Sequence, residues 1–222
     1  MKASISEILS FLQELAANNS REWMAANKER YNDCRLGFES IVGTILEGLS
    51  PVEPLLAGQK AKDCMFRQHR DVRFSANKSP YKTNMSAVFS KGGKKSAYAL
   101  WYFHLEPGNA SMLAGGIYMP EADILKKVRQ EIDYNAGEFE NILTHSDFVK
   151  YFGEMGGEKL KRAPKGYDVE DSNIEWLKHK SFLATHMVKD GDLVKKEFLT
   201  TALQVFIAMK PFNDFLNRAF DG

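Results

Sequence analysis

Residues 85–118 read MSAVFSKGGKKSAYALWYFHLEPGNASMLAGGIY, and their texture decides the fold. Met85–Ser90 is a short β-type run, residues 91–96 are a polar, glycine-containing turn, and Ala97–Glu106 is rich in aromatic residues. Pro107, Gly108 and Asn109 turn the chain again and Ser111–Tyr118 returns, which describes an antiparallel meander. Alternation along the middle run puts Tyr98, Leu100, Tyr102, His104 and Glu106 on one face. Trp101, Phe103 and Leu105 fall on the other. Gly115 and Gly116 weaken the last run. They predict a bulge or a close approach by backbone or ligand, against mere tolerance of two glycines.

Outward from the meander the apolar spacing becomes helical. Ser4-x-x-Glu7 is a capping box, and Ile5, Ile8, Leu9, Leu12, Leu15 and Ala16 form the stripe of a first helix. Asn18 and Asn19 break it, and Asn19-x-x-Glu22 reads as the N-cap of a long helix that ends at Gly48, Ser50 and Pro51. So short a connection predicts a helical hairpin. Downstream, Pro120 fits the first position of a helix to about Tyr134. Shorter helices are expected over Glu138–Leu143, Ser146–Phe152 and Asn173–Lys178, with a strand over Ser181–Val188. A long buried helix within Asp192–Phe220 is expected to kink or restart at Pro211. The fold class is therefore α+β, an antiparallel β-meander flanked by an N-terminal helical hairpin and a long C-terminal helix. It is read as one domain over residues 1–222.

Composition bounds the setting. With 44% hydrophobic and 27% charged residues, the chain is an ordinary globular one. No apolar run approaches the ~20 residues that span a bilayer, and Met1-Lys2-Ala3-Ser4 leads straight into a capped helix, so neither a membrane span nor a signal peptide is expected. Cys34 and Cys64 lack metal or redox spacing, which points to a reduced, cytoplasmic setting and two buried thiols. Phosphate-loop, dinucleotide-binding and nucleophile-elbow motifs are absent from the sequence, as are helix-turn-helix and zinc-finger patterns. The histidines show no metal-ligand spacing, so no metal site is read, and the residues leave any cofactor open.

Charge is unevenly spread. Residues 60–95 hold ten Lys/Arg against Asp63 and Asp71, a surplus of eight in a chain of net charge +1, so the remainder carries −7. A local positive patch on a near-neutral protein suits a focused anionic ligand. Its centre, Phe66–Thr83, interleaves Arg67, Arg70, Arg73, Lys78 and Lys82 with His69, Asp71, Ser75 and Tyr81. Guanidinium forks match phosphate or carboxylate oxygens, so the ligand-binding candidates are Arg67, Arg70, Arg73, Lys78, Tyr81 and Lys82. Read as a strand, the segment puts Arg67, His69, Asp71 and Arg73 on one face and Phe66, Gln68, Arg70 and Val72 on the other. His104 and Glu106 are neighbours at i, i+2, where a carboxylate can polarise an imidazole. They join His69 and Asp71 as candidates for proton chemistry.

These motifs resemble a family of bacterial and fungal proteins catalogued as domain of unknown function 2461. The resemblance rests on Asn18-Asn19-x-Arg21-Glu22-Trp23 with Asn27-Lys28-x-x-Tyr31, and on Phe66-Arg67-x-x-Arg70-Asp71-x-Arg73-Phe74-Ser75 with Asn77-Lys78-x-Pro80-Tyr81-Lys82-Thr83. His104-Leu105-Glu106-Pro107-Gly108, residues 115–120 and residues 160–168 follow in order. The likeness covers almost the whole chain and implies one full-length domain, but it brings no reaction. Where a His-Pro pair is expected after Tyr167-Asp168, Asp171-Ser172 stand instead.

Two partners follow from these residues. The first is a small phosphorylated or carboxylated molecule in an arginine-lined pocket, with or without catalysis. The second is a nucleic-acid strand on the basic 60–95 segment, aided by Lys91, Lys94, Lys95 and a second basic run at Lys159, Lys161, Arg162 and Lys165. A third reading gives the arginines a purely structural role.

Overall fold

A computed structural model describes residues 2–220; Met1, Asp221 and Gly222, at the ends of the expected domain, lie outside the described residues. Strands β1 (Met85–Phe89), β2 (Leu100–Leu105), β3 (Ser111–Ile117) and β4 (Phe182–Val188) form an antiparallel sheet in the order β1-β2-β3-β4. The helices are α1 (Ile5–Ala17), α2 (Arg21–Ala26), α3 (Lys28–Leu49), α4 (Ala61–Cys64), α5 (Ala122–Tyr134), α6 (Ala136–Thr144), α7 (Ser146–Phe152), α8 (Ile174–Leu177), α9 (Asp190–Leu193) and α10 (Phe198–Asn217). The class is α+β, with the helical N-terminal region and long C-terminal helix that the spacing predicts. No helix among the described residues is long and apolar enough to cross a membrane.

The backbone packs as two compact units. One comprises the chain up to Phe89 with Tyr102–Leu113 and Met187–Leu203; the other comprises Ser90–Trp101, Ala114–His186 and the chain from Gln204 onward.

In the first unit the capping box at Ser4 and Glu7 starts α1, which buries Ile8, Leu9, Phe11, Leu12 and Leu15. Phe11 meets Trp23 and Tyr31 at ring-centroid distances of 5.5 and 6.1 Å. The hairpin differs from expectation in two places. Ser20, not Asn19, caps α2, its hydroxyl accepting from the Trp23 amide at 3.1 Å. The expected long helix also divides at Asn27, whose backbone (φ −107°, ψ 20°) leaves the helical region. The Asn27 side-chain amide donates to the Trp23 carbonyl at 3.0 Å, which explains the division, since asparagine competes with the backbone for such carbonyls. α3 then buries Cys34, Phe38, Ile41, Val42, Ile45, Leu46 and Leu49. Phe38 stacks on Phe103 of β2 at 5.5 Å, and Phe103 meets Phe198 at 5.9 Å. Burying a side chain of this size contributes about 1.5–3 kcal/mol, so the odd-numbered face of β2 anchors this core.

In the second unit Glu121 caps α5, which leaves Pro120 one residue ahead of the cap rather than at the first helical position. Phe139 of α6 packs against Trp176, Phe212 and Phe215. α10 runs through Pro211 without restarting. That proline lies on the exposed side of the helix, as does Ile207 four residues earlier, so water can satisfy the carbonyl that proline leaves unmatched. The glycines of β3 mark a close approach. A Cβ at Gly116, where φ is +107°, would overlap the Phe182 carbonyl, and one at Gly115 would overlap Met209.

Candidate anion site and histidine–carboxylate pair

The Phe66–Thr83 segment is not the regular strand expected. Its backbone meets the sheet where it begins, at the bridge from the preceding Met65 to Ala87 and the 2.9 Å bond from the Phe66 amide to the Ser86 carbonyl, and it closes on itself through the bridge from His69 to Tyr81. The Arg70 amide donates to Pro80 at 2.9 Å and the Lys82 amide to Gln68 at 2.8 Å. Between the bridges a side chain replaces the ladder: the buried Gln68 amide donates to the carbonyls of Lys82 and Asn84. Asn19 clamps the same region, accepting from the Tyr81 amide at 3.1 Å and donating to the Tyr81 carbonyl at 3.0 Å. Alternation survives without the strand. Gln68 is buried and Arg70 and Val72 are half-buried, while Arg67, His69, Asp71 and Arg73 are exposed.

The tip of the segment is organised by its own charges. Asp71 accepts from Arg73 Nε at 3.0 Å and Nη2 at 2.7 Å, and Arg73 holds the Asp71 carboxyl below the ordinary carboxylate range. Arg70 donates to the Ser75 hydroxyl at 3.4 Å, and Lys78 donates to the Val72 carbonyl at 3.0 Å. His69 rests on the ring of Tyr81 at 5.0 Å, and Tyr81 is buried.

Arg67 and Lys82 are placed differently. Neither makes a hydrogen bond or ion pair through its side chain among the described residues. Lys82 lies over the Phe66 ring, its ammonium 5.2 Å from the centroid. Burial, and then the positive charge of Arg67, lower its affinity for its proton. Phe66 in turn meets Tyr102 of β2 edge-on at 6.4 Å.

Tyr102 begins a polar chain on the even-numbered face of β2. Its hydroxyl lies 3.0 Å from His104 Nδ1, and His104 Nε2 lies 2.8 Å from Glu106 Oε2. The Thr83 hydroxyl donates to Glu106 Oε1 at 2.8 Å, so both carboxylate oxygens are engaged. A carboxylate only accepts, so the neutral ring carries its proton on Nε2 and Nδ1 accepts from Tyr102. Burial raises the Tyr102 pKa, and the Glu106 charge adds to the effect, against a lowering hydrogen bond from Ser86. The hydroxyl therefore stays protonated at neutral pH and keeps its hydrogen bond to His104 Nδ1.

The fold thus brings His104 and Glu106 together and connects them through Tyr102 and Phe66 to Lys82 and Arg67. His69 is partnered by Tyr81 and Asp71 by Arg73 within the segment, and Asp71 also feels the charge of Arg67. Tyr102, Thr83, Gln68 and Asn19 escaped the reading of candidates. Tyr102 was visible as a member of the His104 face, whereas Thr83 and Asn19 act across long sequence separations. Among the described residues, no cluster of three His, Cys, Asp or Glu side chains stands in metal-ligand range.

The fold and site define an α+β protein in which a histidine–carboxylate pair lies near the Lys82 and Arg67 cations. The chain belongs to the family described as conserved hypothetical protein (DUF2461), which matches residues 7–215. No curated protein and no solved structure matches it.

Proposed function

We propose that this protein binds a small phosphorylated or carboxylated molecule at Arg67 and Lys82, with the Tyr102–His104–Glu106 chain at hand for proton transfer. The observation that carries the reading is the pair of neighbouring cations. Lys82 is partly desolvated and feels Arg67; neither side chain is bonded to a carboxylate among the described residues, and Asp71, which Arg67 reaches only through its charge, is already held by Arg73. An anion placed between them would relieve that repulsion. Arg70, Arg73 and Lys78 are left out of this small-anion site, because each is bonded within the segment. The two buried free thiols suit a reduced, cytoplasmic setting for this activity.

Inorganic phosphate is the first probe. It is expected to raise the Tm of the wild-type protein and to bind measurably in calorimetric titration. A charge-assisted hydrogen bond contributes about 1.5–3 kcal/mol, so Arg67→Ala and Lys82→Met should each weaken binding roughly 10- to 150-fold. Equal phosphate binding by wild type and both variants would reject the site.

A further inference from the structure

The tip of the segment carries a feature that a small-anion site does not use. Phe74 is 97% exposed, the most exposed of the large apolar side chains described. Its ring is presented by a braced loop. Asp71 holds Arg73, Arg70 holds Ser75, Lys78 holds the Val72 carbonyl, and the Ser79 amide donates to Asn77 Oδ1 at 2.9 Å. The Arg73 guanidinium lies 5.9 Å from the Phe74 centroid. Its side chain is 76% exposed, and Nη1 makes no bond among the described residues. Five cations against Asp71 give residues 66–83 a strong positive excess.

We propose that this loop is a binding surface for single-stranded nucleic acid, with Phe74 stacking on a base and Arg73 and Lys78 meeting the flanking phosphates. Every base has a π-face, so one exposed ring among cations is enough for sequence-tolerant stacking. A lipid surface fits less well. Interfacial binding scales with the apolar area inserted, and Phe74 is the one exposed large apolar residue described between positions 67 and 83. The proposal stands independently of the phosphate site, because Phe74, Arg73 and Lys78 are not residues of that site.

The test is binding of a fluorescent oligothymidylate at low salt to wild-type protein and to Phe74→Ala, Phe74→Leu and Phe74→Tyr. Wild type and Phe74→Tyr should bind alike. Phe74→Ala and Phe74→Leu should bind about 5- to 150-fold more weakly, the range for loss of one stacked base. So exposed a side chain can be replaced without disturbing the fold, which an unchanged Tm and unchanged phosphate binding would verify. Absence of oligonucleotide binding, or equal binding by Phe74→Ala, overturns the proposal. So does Phe74-dependent sedimentation with phosphatidylserine vesicles, or competition by thymidine monophosphate at the same concentration as the oligonucleotide.

Discussion

Lys82 holds its charge under strain from two sources, partial burial and the neighbouring guanidinium of Arg67. The folded protein therefore binds this proton less tightly than the unfolded chain does. Below the lowered folded-state pKa the penalty is fully present. It is relieved as pH rises from there towards 10.5, where the unfolded chain still holds the proton. Lys82→Met keeps the apolar stem over Phe66 and removes the charge, so it is expected to be more stable than wild type at pH 7. The advantage should shrink as the pH rises towards 10.5 and be gone above it, in denaturant titrations of both proteins. A variant less stable at neutral pH would show that the charge is favourably matched in the free protein. Gain of stability with loss of phosphate binding is the usual signature of a residue kept for function.

Among the elements, β3 shows most directly how backbone geometry selects residues. At Gly116 both the positive φ and the nearness of the Phe182 carbonyl exclude a side chain. Gly116→Ala is expected to lose at least about 2 kcal/mol of stability, read from the shift of its denaturation midpoint, since left-handed backbone alone costs ~1–3 kcal/mol for a non-glycine residue. An unchanged midpoint would mean that β3 and β4 separate easily. The sequence marked this site, because two glycines in a β-type run ask for an explanation. It also outlined all four strands and the capping box of α1. The break at Asn27 stayed hidden, since an asparagine there suits a helix start and a helix interior almost equally until the side chain is seen on the Trp23 carbonyl. The same holds for Phe66–Thr83, where Gln68 substitutes for backbone pairing.

For the whole molecule, a net charge of +1 leaves little long-range field, so any response of strand binding to salt must come from the local excess around residues 66–83. Single-stranded binding falls with log salt at a slope of about −0.7 for each phosphate neutralised. Oligothymidylate binding should therefore follow a slope no steeper than about −3.5 if the five cations of this segment are the ones engaged. Steeper dependence would bring in cations elsewhere, such as Lys91, Lys94 and Lys95. The sequence by itself determined the α+β class, the meander, the concentration of charge and the neighbourhood of His104 and Glu106, because period, turn chemistry and i, i+2 spacing are local properties. Only the tertiary structure separated the cations into bonded loop braces and the Arg67–Lys82 pair, joined Thr83 to Glu106, and left Phe74 in solvent. Those outcomes depend on which partners distant residues meet, and that is fixed by packing rather than by any pattern along the chain.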